Sequence, residues 1–207
     1  MWLSVLTTVF AGYMLGNLDG AVSMSNLLGK DVRSQGSGNA GLTNFLRMYG
    51  PGNAVLVLLI DALKAVVACL LGKLLLAPYG YAQEGLMTGA LAVSLGHDFP
   101  ALLGFRGGKG VLCGVTVALM ADWRCGLVAL AVFALCLWLT HYVSLSSILG
   151  ASAFAVSFAC LHWGKTYVVA VGIFLVALII FMHRSNISRL LKGTEKKATF
   201  SKFRRNK

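Results

Sequence analysis

Residues 55–76 read VLVLLIDALKAVVACLLGKLLL, a run of apolar side chains interrupted only by Asp61, Lys64 and Lys73. A bilayer's hydrocarbon core is about 30 Å thick and is crossed by about 20 helical residues. The run therefore predicts a membrane span. Residues 111–120, 127–139 and 167–182 hold no charged residue and have the same character. Extending these runs to the nearest polar breaks gives expected spans at 2–24, 51–77, 84–98, 109–122, 124–140, 145–161 and 165–183. The expectation is an all-α, polytopic transmembrane helix bundle of about seven spans.

Composition agrees. The chain is 57% apolar and 12% charged over 207 residues, about half the charge that covers an ordinary soluble domain. Its length suits one domain, expected at 1–191, followed by a basic cytoplasmic tail at 192–207. The five cysteines form no CxxC and lie mostly in apolar runs, where they read as small fillers. The N-terminus has no basic segment ahead of its apolar run, so it reads as a retained span rather than a removed signal peptide.

The net charge of +11 would suggest nucleic acid on a soluble protein, but here the positive residues fall between the apolar runs. No nucleic-acid motif accompanies them. With seven spans, one side holds Lys30, Arg33, Arg47, Arg106, Lys109 and the nine Lys or Arg from Arg184 onward, which is 14 of 18. The other side holds only Arg124 and Lys165. The positive-inside rule then puts the N-terminus outside and the tail in the cytoplasm, where it is expected either to lie on anionic headgroups or to be disordered.

Four polar clusters fall on that basic side. The first is 36–47, GSGNAGLTNFLR. Its glycines expose backbone N–H groups able to form an anion-binding concavity. A helix starting near Thr43 would aim its positive end at the same place, and Arg47 could clasp a phosphate. The bland alternative is a helix-capping turn. The second is Gly96-His97-Asp98-Phe99-Pro100 followed by Phe105-Arg106-Gly107-Gly108-Lys109-Gly110. Glycines and a lysine ahead of an apolar span share the physical idea of a P-loop, but the Walker A spacing is absent. A basic membrane-flanking turn would also fit. The third is 141–148, HYVSLSSI, whose serines cap a helix or bond a ligand. The fourth is 183–195, HRSNISRLLKGTE. There His183 and Asn186 share a helix face, while Arg184 and Arg189 either meet a ligand or anchor to headgroups. Together the clusters suggest a site for two phosphates near the inner leaflet.

These stretches resemble the bacterial acyl-phosphate:glycerol-3-phosphate acyltransferases, the PlsY family. That family carries GSGNPGATNxxR, GHxFPxxxxFxGGKGV, an SLSS-like stretch and HRxNIxRLxxGTE. The matches run in order over residues 29–195. Departures are Ala40 for proline, Leu42 for alanine, His141 where arginine is frequent, and Asp19 in a stretch that is usually apolar or proline-bearing. The resemblance implies transfer of a fatty acyl group from acyl phosphate to the 1-hydroxyl of sn-glycerol 3-phosphate. The products are 1-acylglycerol 3-phosphate and phosphate, in the first acylation of phospholipid synthesis. It implies a bacterial cytoplasmic membrane location, with the active site facing the cytoplasm.

On that resemblance Ser37, Arg47, Lys109, Ser147, His183 and Asn186 are expected to act in catalysis. Gly38, Asn39, Thr43, Asn44, His97, Gly107, Gly108, Gly110, Ser144 and Arg184 are expected to hold substrate or phosphate. No cofactor and no metal is called for. Partners are the two substrates and the bilayer, with no nucleic acid. No aspartate lies five residues after any histidine, so the Hx₄D machinery of acyl-CoA-dependent enzymes is not expected. Asp61 and Lys64 read as a buried ion pair that is either functional or locks helices. Glu195 is expected to fasten the tail through a basic residue. A small organic-phosphate transporter and a structural membrane subunit are the competing classes.

Overall fold

The computed structural model describes residues 1–198. The part of the basic tail from 199 to 207 lies outside the described residues. All regular structure in the described residues is helical: α1 (Trp2–Gly16), α2 (Gly20–Leu27), α3 (Leu42–Leu76), α4 (Ala82–Asp98), α5 (Val111–Ala121), α6 (Trp123–Thr140), α7 (Val143–Leu161), α8 (Thr166–Met182) and α9 (Arg184–Leu191), with three short 3₁₀ turns.

The expected first span, 2–24, is two helices. α1 stops at Gly16, which lies against α4. A side chain there would sit 2.5 Å from the Val93 carbonyl oxygen and 2.6 Å from Gly96 Cα. The chain turns through 17–19, and Asp19 restarts it by accepting a 2.8 Å hydrogen bond from Val22 N at the head of α2. The break frees two carbonyls, and both lie near Lys64. Lys64 Nζ donates to Leu18 O at 2.7 Å and stands 3.3 Å from Gly16 O.

α3 is also divided. Gly50 adopts φ 79°, ψ 173° just ahead of Pro51. Glycine tolerates that backbone, and proline cannot continue the preceding helical hydrogen bonds. The segment before the break carries Phe45, fully buried and stacked on Tyr49 at 4.7 Å. The segment after it is the long apolar run. It packs on α4 through residues without bulk: Cβ atoms at Gly72, Gly85 or Gly89 would each collide with backbone of the facing helix. Small residues at such a crossing let membrane helices approach closely.

α3, α4, α6 and α7 are long and apolar enough to cross a membrane, and α8 with α9 adds a fifth candidate bent by 56°. α1 has 15 residues and α5 has 11. At one end of the bundle Asp122 joins α5 to α6. Its carboxylate accepts from Arg124 Nε and lies 3.0 Å from His162 Nε2. Lys165 donates to Gln83 there at 2.7 Å. The four polar clusters gather at the opposite end.

Candidate functional site

The first glycine loop is built around one amide. The two N–H groups of Asn44 Nδ2 are shared among the carbonyls of Val32, Gln35 and Asn39 at 3.0–3.1 Å, and its Oδ1 accepts from Ser37 N at 2.9 Å. Gly36 and Gly38 have positive φ on either side of Ser37, so the turn presents Ser37 outward. Asn44 has spent its bonding capacity on the loop and is a scaffold. Arg33 ties this loop to the second: it pairs with Asp31 at 2.7 Å and donates to Leu103 O at 3.0 Å.

The second loop folds over the end of α4. Gly108 N donates to His97 O at 3.2 Å. A Cβ at Gly107 would strike that same carbonyl, and one at Gly108 would strike the His97 ring and lie 2.6 Å from Ala40 O. These glycines therefore bring the loop against His97 and against the first loop. Gly110, at φ 64°, caps the start of α5, whose N-terminal amides face the same space.

A chain of polar contacts joins this loop to the C-terminal helix. Lys109 Nζ donates to Asn186 Oδ1 at 2.6 Å, and Asn186 Nδ2 donates to Glu195 Oε1 at 2.7 Å. Ser144 Oγ donates to the same oxygen at 2.7 Å, and Arg189 Nε to Oε2 at 2.6 Å. Burial would raise the Glu195 carboxyl, but the donors from Asn186, Ser144 and Arg189 outweigh it and hold the group below its ordinary value. Burial lowers the Lys109 ammonium, and Arg189 and Arg47 add to that, against the opposing pull of Glu195. The ammonium is thus short of negative partners. His183 lies in the break between α8 and α9, with Nδ1 2.8 Å from Ile179 O. A carbonyl only accepts, so Nδ1 carries the proton and Nε2 keeps a free lone pair.

These groups surround a cavity of about 540 Å³. All six residues expected in catalysis line it: Ser37, Arg47, Lys109, Ser147, His183 and Asn186. Asn39, Thr43, Asn44, His97, Gly110 and Ser144 line it as well. A second, apolar cavity leads off between α5, α6, α7 and α8. It shares Gly110, Val111, Val115, Phe133 and Ser147 with the first and reaches Val117, Ala118 and Phe154.

Four expectations need correction. Arg184 faces away: its guanidinium stacks 4.5 Å over the Phe181 ring and donates to Phe181 O at 3.2 Å. Gly38, Gly107 and Gly108 shape their loops and do not line the cavity. The serine cluster does not cap α7 either. Ser146 and Ser147 donate back to the carbonyls of Tyr142 and Val143, the four-residue back-bond that serines make inside helices. Arg189, Glu195 and Lys196 line the cavity; Arg189 thus takes the ligand-facing alternative, and Glu195 and Lys196 escaped the reading as ligand-facing groups. Glu195 alone had a usable signal, a single acid in a basic tail.

Asp61, His97 and Cys113 bring one possible metal-ligand atom each within 4.8 Å of one another. Lys64 Nζ stands 2.8 Å from both Asp61 Oδ1 and His97 Nδ1. The Lys64 ammonium is thus the cation that Asp61 and His97 already hold.

The family model described as glycerol-3-phosphate acyltransferase matches residues 6–193. A glycerol-3-phosphate acyltransferase of Thermoanaerobacter pseudethanolicus is 42% identical over 195 residues, covering 94% of this chain and 95% of the relative. Glycerol-3-phosphate acyltransferase 1 of Deinococcus radiodurans is 39% identical, covering 95% and 97%. A crystal structure of PlsY (YgiH), an integral membrane glycerol 3-phosphate acyltransferase in its glycerol 3-phosphate form, superposes with a TM-score of 0.88 at 32% identity, covering 98% of this chain and 100% of that one. The lysophosphatidic acid form gives 0.83 at 33%, covering 97% and 98%.

Proposed function

The chain belongs to the glycerol-3-phosphate acyltransferase family, and from that membership we propose that its acyl donor is an acyl phosphate. It is an integral membrane enzyme of phospholipid synthesis that acylates glycerol 3-phosphate. The observation that carries the donor assignment is the joined pair of cavities. One is polar and basic, lined by Arg47, Lys109 and Arg189; the other is apolar and runs between helices. An acyl phosphate has the matching shape, with its chain among α5–α8 and its phosphate beside glycerol 3-phosphate in the basic chamber. The coenzyme portion of an acyl-CoA would add a bulk that a chamber of about 540 Å³ does not suit.

In the proposed reaction the 1-hydroxyl of glycerol 3-phosphate attacks the acyl carbonyl. The carbon–oxygen ester bond forms, and the bond to the phosphate oxygen breaks. His183 Nε2, with its free lone pair, takes the hydroxyl proton and the departing phosphate receives it. Arg47 and Lys109, with the amides at the start of α5, hold the phosphates and stabilise charge on the leaving one. Ser37 and Ser147 orient the acyl phosphate, and Asn186 fixes Lys109 in place. Asn39, Thr43 and Ser144 border the phosphates, and Gly110 lets the backbone approach them.

The charge distribution supports seven crossings, with the N-terminus outside and the cavity opening to the cytoplasm of a bacterial plasma membrane. A transporter needs a path to both faces, and the polar cavity, with its phosphate-binding groups, lies at the basic end. The test is turnover by purified protein in detergent with glycerol 3-phosphate and either palmitoyl phosphate or palmitoyl-CoA. Phosphate release and 1-acylglycerol 3-phosphate from the first donor alone is the expected result. Ester formation from the thioester alone would overturn the donor assignment.

A further inference from the structure

We propose that Lys64 is a positioning residue: it fixes the ring of His97 as the Nε2–H tautomer, and that N–H donates to a phosphate oxygen of a substrate in the basic cavity that His97 lines. The inference rests on the reading that the basic cavity holds substrate phosphates.

The contacts of Lys64 settle the proton count. Three acceptors lie close to Nζ: Leu18 O at 2.7 Å, Asp61 Oδ1 at 2.8 Å and His97 Nδ1 at 2.8 Å. Gly16 O is farther, at 3.3 Å. An ammonium has three N–H donors and no lone pair. The three short contacts use all three, and His97 Nδ1 must accept. The ring proton is then on Nε2. Lys64 and His97 are both at most 4% exposed, so water does not compete for the arrangement. The break between α1 and α2 makes it possible, because only a free carbonyl at Leu18 can take the second N–H.

The Nε2 edge faces the site. His97 lines the cavity, and the space a side chain at Gly108 would fill lies directly before its Nε2 and Cε1 atoms, with Ala40 O of the first loop beside it. Glycine at 108 thus lets the second loop close on this edge of the ring, where any side chain would collide with it. This gives Gly108 a purpose that does not require its own amide to touch phosphate. It also explains a polar ionic cluster where a helix-locking role would be served as well by apolar packing.

Two measurements test this. In wild-type protein labelled with ¹⁵N-histidine, long-range proton–nitrogen spectra without substrate should show His97 protonated on Nε2 alone between about pH 6 and 8. A ring protonated on Nδ1, or on both nitrogens, would overturn the proposal whatever the enzyme's activity. In the Asp61→Asn/Lys64→Met double variant, which removes both charges together, Nδ1–H should appear and one KM should rise about 10- to 100-fold, the worth of one hydrogen bond to a charged group. KM is measured separately for glycerol 3-phosphate and acyl phosphate, and the one that moves identifies which phosphate His97 meets. His97→Asn should raise that same KM, while His97→Gln, whose amide reaches the Nε2 position, should restore it to within a few-fold. Equal effects of Asn and Gln, or a double variant that changes only the melting temperature, would refute the role. Absence of all turnover in wild type would sink the functional reading and leave the tautomer result standing.

Discussion

Lys109 and His183 show how far single residues can be argued. Burial and the neighbouring Arg189 and Arg47 lower the Lys109 ammonium. A lowered lysine loses its charge earlier as pH rises, so KM for the phosphate it holds should climb with pH, starting below the ordinary lysine value of 10.5. In Lys109→Arg that rise should vanish, because the guanidinium stays charged. A flat KM profile in wild type would remove Lys109 from phosphate binding. His183→Gln keeps an acceptor near Nε2 but cannot carry a proton. Its kcat should fall at least about 100-fold with little change in either KM, and a variant with most of the wild-type turnover would show that the proton passes directly to phosphate. At this scale the sequence was most legible where its motifs carry the family resemblance, which supplied the six residues expected in catalysis. Ser37, Arg47, Lys109, Ser147, His183 and Asn186 all reach the cavity. It misled where direction matters: Arg184 and Arg189 looked alike, and only the turn at His183 decides that Arg189 faces Glu195 while Arg184 lies on Phe181.

At the scale of elements, the strap after α9 and the glycine contacts of α4 carry the clearest consequences. Glu195 holds the strap to Ser144, Asn186 and Arg189, and Ala198 N donates to His141 O beyond it. The carboxyl is held below its unfolded value of 4.5. Its contribution is therefore complete above that value and lost as pH falls through the lowered folded one. Glu195→Gln should abolish this acid-side loss and cost about 1–3 kcal/mol near neutrality, read by thermal unfolding in detergent across acidic pH. Gly89→Leu should cost more, because its Cβ already strikes the Ala68 carbonyl and overpacking alone costs about 1–3 kcal/mol. A melting temperature equal to wild type would contradict the α3–α4 packing. Apolar runs made most helices readable. The stop at Gly16 was not, because its causes are tertiary: the α4 backbone beside it and Lys64 reaching across to the freed carbonyls.

For the whole molecule, two ends of unlike chemistry carry the account. The end with Asp122, Arg124, His162 and Lys165 has its polar groups paired with one another. The opposite end collects the basic loops and a cavity open to phosphates. In a cysteine-free background, Arg124→Cys should react with an impermeant thiol reagent in intact cells, and Lys192→Cys only after permeabilisation; the reverse pattern would invert the topology. The central claim is tested most directly by the stoichiometry of one turnover. Purified protein given acyl phosphate and glycerol 3-phosphate should release one phosphate for each 1-acylglycerol 3-phosphate formed, and release almost none without the acceptor. Phosphate released equally well in the absence of glycerol 3-phosphate, with no ester formed, would contradict it.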